Sequence, residues 1–144
     1  MRNVSRKEKK FLVDMASAKQ LEGLLSQVVP GDLHNGSHGY PVRSLYFDTL
    51  HDRDFAEKLF GTDPRRKVRL RVYDPTADFA LLELKQKQGE NQRKRSLPLM
   101  RAEARRLIEG DFDGLLDRPE PFAAEIHALM SINVPFCVKQ CGYC

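Results

Sequence analysis

The sequence has no tryptophan, few aromatics (8%) and no apolar run near the ~20 residues of a membrane span. The basic opening Met1–Lys7 is not followed by the apolar stretch of a signal peptide. Its three cysteines, Cys137, Cys141 and Cys144, crowd into the last eight of 144 positions. An odd, crowded set of this kind does not describe a secreted disulfide framework. The four histidines, at 34, 38, 51 and 127, show no ligand spacing. The expectation is a soluble, cytoplasmic domain of a length that suits one core.

Charge is plentiful and uneven. Residues 58–106 hold fourteen Lys or Arg against six Asp or Glu, a net of +8, while the rest of the chain is at −4. A segment this basic inside an acidic chain points to a polyanionic partner. Nucleic acid, a phosphorylated small molecule and polyphosphate all satisfy that requirement. The few aromatics are not interleaved as base-stacking platforms, so nucleic acid is the disfavoured one.

Hydrophobic periodicity predicts strands at 6–13, 42–48, 67–73, 79–87 and 92–97. It predicts helices at 17–29, 52–60, 101–108 and 122–130, stopped by Pro30-Gly31, Gly61 and Gly110. A Gly89-Glu90-Asn91 turn is expected to join the last two strands. The order β-α-β-α-β-β-β-α-α, with hairpin spacing late in the chain, gives an α+β fold with a largely antiparallel sheet.

Alternate residues of a strand share a face. Lys67, Arg69 and Arg71 fall together, as do Glu83, Lys85 and Lys87, Arg93 and Arg95, and Arg6, Glu8 and Lys10. If these faces align, nine cations and two carboxylates lie on one surface. The simpler reading is a solvated sheet face, which is commonly polar. Solvated faces intersperse both signs, however, and like charges directly opposite one another destabilise a sheet. Clustered cations need an anion, and Lys and Arg both donate to phosphate oxygens.

Four motifs then occur in order between Arg6 and Gly110. They are Arg6-Lys7-Glu8-Lys9-Lys10-Phe11, Ser44-Leu45-Tyr46-Phe47-Asp48-Thr49, Arg66-Lys67-Val68-Arg69-Leu70-Arg71-Val72-Tyr73 and Leu82-Glu83-Leu84-Lys85-Gln86-Lys87. In that order the chain resembles the VTC domain, the polyphosphate polymerase branch of the CYTH-like, or triphosphate tunnel metalloenzyme, superfamily. The resemblance implies an antiparallel β-barrel tunnel that grips ATP, triphosphate or polyphosphate and passes the γ-phosphoryl group of ATP to a polyphosphate chain. It implies a divalent metal, Mn or Mg. Lys10, Arg69, Arg71 and Lys85 would contact the reacting phosphates, with Arg6, Lys67, Lys87, Arg93 and Arg95 as further phosphate ligands. Glu8 and Glu83 are metal candidates, set against the simpler role of pairing with neighbouring cations. Asp48 is expected to close a strand ahead of the next helix.

The VTC-like part is assigned to residues 4–130 and is expected to be a truncated, incomplete tunnel. Residues 131–144 form a separate tail. Its Cys137-x3-Cys141-x2-Cys144 spacing resembles the cluster loop of radical S-adenosylmethionine enzymes, in which three thiolates hold a [4Fe–4S] cluster. The alternatives are therefore a non-catalytic polyanion-binding module, or a fragment joined to the start of a radical S-adenosylmethionine protein. The tail is expected to pack little against the domain.

Overall fold

The computed structural model describes residues 1–32, 39–49, 51–132 and 136–140. The chain divides into two units, Met1–Glu8 with Val42–Cys144, and Lys9–Pro41.

The second unit carries helix α1, Met15–Leu25. Asp14 caps it, its carboxylate accepting from the Ser17 backbone N–H at 2.8 Å and the Ser17 hydroxyl at 2.9 Å.

The first unit is built on a sheet. Strands β1 (Arg2–Lys7), β2 (Arg43–Thr49), β3 (Arg65–Val72), β4 (Phe79–Gln88) and β5 (Asn91–Met100) form an open antiparallel sheet in the order β1-β5-β4-β3-β2. The segment Phe136–Gln140 adds β6 along the free edge of β2, with Cys137 opposite Asp48. The expected loose tail is thus a paired edge strand at this point: an exposed strand edge offers unmet N–H and C=O groups to any extended segment. β1 and β6 are the two outer strands, so among the described residues the sheet is open and does not close into a tunnel.

The expected first strand at 6–13 is displaced to Arg2–Lys7, where every residue from Arg2 to Lys7 has a partner on β5. The lysine-rich stretch that follows has no apolar alternation to hold it in the sheet. Helix α1 ends at Leu25, four residues short of the expected 29, and the other strands and helices lie within about two residues of their expected places or run slightly longer, among them α2 (Arg53–Leu59), α3 (Arg101–Ile108) and α4 (Pro121–Ile132).

One sheet face is apolar. Phe47, Val68, Leu70, Leu82, Leu84, Leu97 and Leu99 point from it into a core completed by Ala104 and Leu107 of α3 and by Phe122, Ala123, Ile126 and Met130 of α4. Each of these side chains larger than alanine contributes roughly 1.5–3 kcal/mol by leaving water. Covering one face leaves the other free to carry charge.

Candidate functional site

Register decides which side chains share the uncovered face. Arg69 of β3 lies opposite Glu83 of β4, which lies opposite Ser96 of β5. The next row is Lys67, Lys85 and Lys94, followed by Val4 of β1, and beyond it come Arg65, Lys87, Gln92 and Arg6. From β2, Tyr46 sits beside Arg69 and Ser44 beside Arg71. Arg6, Arg69, Arg71, Lys85 and Lys94 converge with Val4 and Gln92 on a small cavity of about 80 Å3.

Glu83 is the hub of this face, with a fully buried side chain. One of its oxygens accepts from Arg69 Nε at 2.7 Å and the other from Lys94 Nζ at 3.0 Å and Ser96 Oγ at 3.4 Å. Arg71 Nε stands 4.0 Å away and donates to Ser44 Oγ at 3.1 Å. Arg69 also donates to the Tyr46 hydroxyl at 3.0 Å, and Lys67 Nζ lies 5.6 Å from the Tyr46 ring centre. Burial pushes the Glu83 carboxyl up, but Arg69 and Lys94 outweigh it and hold it below the ordinary range. Burial likewise pulls the Arg69 guanidinium down, and Glu83 and Tyr46 more than restore it. Lys67 is held below the ordinary lysine value by burial, with Lys58 adding to it.

Nearer the sheet edge, Lys85 Nζ donates to Glu8 Oε2 at 3.3 Å, and Arg6 approaches the same oxygen at 3.5 Å. Five cations therefore meet two carboxylates. The arrangement is a preformed, electropositive concavity whose arginines are oriented by protein partners and need little rearrangement to receive an anion.

The expected residues divide. Arg6, Lys67, Arg69, Arg71, Lys85 and Lys87 share this face, with Glu8 and Glu83 among them. Arg93 and Arg95 do not, contrary to expectation. The β4–β5 turn has two residues, Gly89-Glu90, so Gln88 pairs with Asn91 and odd positions of β4 meet even positions of β5. A three-residue turn would have reversed this. Arg95 instead points to the helices, paired with both Glu125 carboxylate oxygens and Gln86, its guanidinium 5.0 Å from the Phe122 ring centre. Lys10 is likewise not on the sheet: β1 ends at Lys7, and Lys10 belongs to the second unit.

The Mn or Mg ion that the resemblance implies finds no fitting donor set here. Both Glu83 oxygens are engaged by cationic donors, and Glu8 is paired with Lys85 and Arg6. Among the described residues no group of three His, Cys, Asp or Glu is arranged to hold a metal. Cys141 and Cys144 lie outside the described residues, so the iron–sulfur expectation does too.

Lys94, Gln92, Ser96 and Tyr46 belong to the site without having been expected there. Lys94 and Gln92 were hidden by the same one-residue difference in the turn; Tyr46 and Ser44 follow from the β2–β3 register. Asp48 closes β2 as expected and does more: its carboxylate accepts from the backbone N–H groups of Asp54 and Phe55 at 2.8 and 3.0 Å, capping α2. No helix among the described residues is long and apolar enough to cross a membrane.

No curated protein matches the chain. The family model of the VTC domain matches residues 5–135, nearly all of the sheet and its helices. With Arg69, Arg71, Glu83 and Lys85 of its motifs gathered on one face, the chain belongs to the VTC domain family.

Proposed function

We propose that the uncovered face binds triphosphate and polyphosphate, and that the domain is a relative of ATP-dependent polyphosphate polymerases. The observation that carries this reading is the convergence of Arg6, Arg69, Arg71, Lys85 and Lys94 on one concavity, with a buried carboxylate fixing Arg69 and Lys94 in place. A linear chain of phosphates matches a row of cations on one side of a strand, because each anionic unit meets its own donor. Arg69 and Arg71 supply planar forks for paired oxygens, while Lys85 and Lys94 act as point charges.

In the polymerase reading, a terminal oxygen of the polyphosphate chain attacks the γ-phosphorus of ATP. The bond from that phosphorus to the bridging oxygen breaks, and ADP leaves. Such a transfer needs positioning and charge neutralisation more than a protein nucleophile. The chain's contribution is to hold the phosphate oxygens against guanidinium and ammonium groups whose own positions are set beforehand.

The discriminating experiment is competition. Tripolyphosphate bound to the protein is challenged with single-stranded DNA or RNA at matched charge and salt. The expected result is that the nucleic acid displaces it poorly, since the cavity is small and lacks a run of aromatic platforms. Ready displacement at equal charge would make the face a general polyanion surface and end the triphosphate reading.

A further inference from the structure

The opposite sheet face is apolar only as far as the row of Leu84 and Arg95. The next row towards the β4–β5 turn is Arg66, Gln86, Arg93 and Ser5, each in register with the next. With Arg53 and Glu57 of α2 this row lines a second cavity, about 500 Å3, to which Arg65 and Lys87 also contribute.

The charge in that cavity is unbalanced. Among the described residues that line it, the one acidic side chain, Glu57, accepts from Arg53 Nε at 2.9 Å and is thereby taken. Among the described residues, Arg65, Arg66, Lys87 and Arg93 make no ion pair. Arg93 Nε donates to Asn3 Oδ1 at 3.2 Å, and Arg65 reaches the Thr62 carbonyl at 3.5 Å. Both contacts orient a guanidinium without neutralising it. Arg66 and Arg93 are also too far along the strands to fill the core, whose last apolar row lies one step earlier. A group of cations with no core role and no direct ion pair, met only through space by Asp54 and Glu125, repels itself and concentrates anions from solution.

We propose that this cavity is a second site for condensed phosphate, separate from the first, in which Arg66, Arg93 and Lys87 bind a further stretch of inorganic polyphosphate. Gln92 borders both cavities, with its side-chain oxygen buried and without a hydrogen-bond partner among the described residues. A chain longer than triphosphate therefore engages both sites at once and gains from their linkage. Only this linkage rests on the reading of the first face; binding at the second cavity does not.

The test is equilibrium titration with tripolyphosphate and with long-chain polyphosphate. The proteins compared are the unchanged chain, Arg71→Ala, and the double variant Arg66→Gln/Arg93→Gln. The unchanged chain is expected to take two tripolyphosphates. The double variant should take one, and lose at least tenfold in affinity for the long chain. Thermal melts matching the unchanged chain establish that the variants fold, and Arg93→Gln alone, at an exposed position, serves if the double variant does not. A tripolyphosphate stoichiometry that the double variant leaves unchanged, or long-chain affinity unmoved in the double variant, overturns the proposal. So does preferential displacement from this site by single-stranded DNA of equal charge. If Arg71→Ala leaves both tripolyphosphates bound while the double variant releases one, the first-face reading fails and this site stands.

Discussion

Arg69 and Arg95 sit on β3 and β5 of one sheet, with only β4 between them, and their surroundings are opposite in kind. Arg69 lies on the uncovered face, pinned by Glu83 and Tyr46, with Arg71, Lys85 and Lys94 close by. Arg95 is turned under α4, paired with Glu125 and Gln86 and laid against Phe122. Neither residue type nor local charge distinguishes the two. Strand parity does: Arg95, one step out of phase and beneath the helices, becomes a tether between sheet and helix, while Arg69, in phase, becomes a ligand-facing cation.

The contrast is broken most severely from the apolar side. Leu82→Ala, at a fully buried position in the middle strand, should cost about 2–5 kcal/mol of stability in a urea titration. Both faces would then be lost together. Glu83→Ala comes next, at about 3 kcal/mol, because Arg69 and Lys94 would keep their charge without the buried partner. The pH dependence has a definite sign. The Glu83 carboxyl is lower in the folded chain than in the unfolded one, so its contribution is complete above the ordinary glutamate value of about 4.3. It is lost as pH falls through the lower folded value. Glu83→Gln should flatten that acid limb in a pH series of melts.

Arg95→Ala should cost about 2 kcal/mol by removing a two-pronged contact to Glu125 and the packing on Phe122. The smallest expected effect is at Asp54, whose carboxyl is pushed up to about 6 by burial, with Asp48 and Glu57 adding to it. A folded value above the unfolded one means the ionised form is disfavoured in the fold. Asp54→Asn should therefore stabilise at pH 7 by about 1 kcal/mol after solvent screening, and the gain should shrink below pH 6. Paired thermal melts at pH 5 and pH 7 measure it.

Much of this was legible in the residues. The 3.6 and 2.0 periods place α3 and β4 almost to the residue and β3 within two, and alternation alone puts Lys67, Arg69 and Arg71 together. Pairing phase was harder. Gly89-Glu90-Asn91 reads equally well as a two- or three-residue turn, and the choice moves Arg93 and Arg95 from one face to the other. Gly89 at φ +57° opens the two-residue form. With the two-residue turn, strand parity brings Lys94 and Gln92 onto the face of Arg6 and Lys85. The displacement of β1 was less accessible, since residues 2–10 alternate weakly and only the partner strand β5 selects Arg2–Lys7.

The central claim is that phase, and not residue type, places Arg71 at the first phosphate-binding face and Arg95 in the contact between sheet and helices. Calorimetric titration of tripolyphosphate against Arg71→Ala and Arg95→Ala, at one salt concentration, tests it most directly. Arg71→Ala should weaken binding at the first face by about 1.5–3 kcal/mol, the scale of a hydrogen bond to a charged group, with little change in melting temperature. Arg95→Ala should lower the melting temperature and leave the affinity unchanged. Equal losses of affinity in the two variants, or a loss confined to Arg95→Ala, would contradict the account.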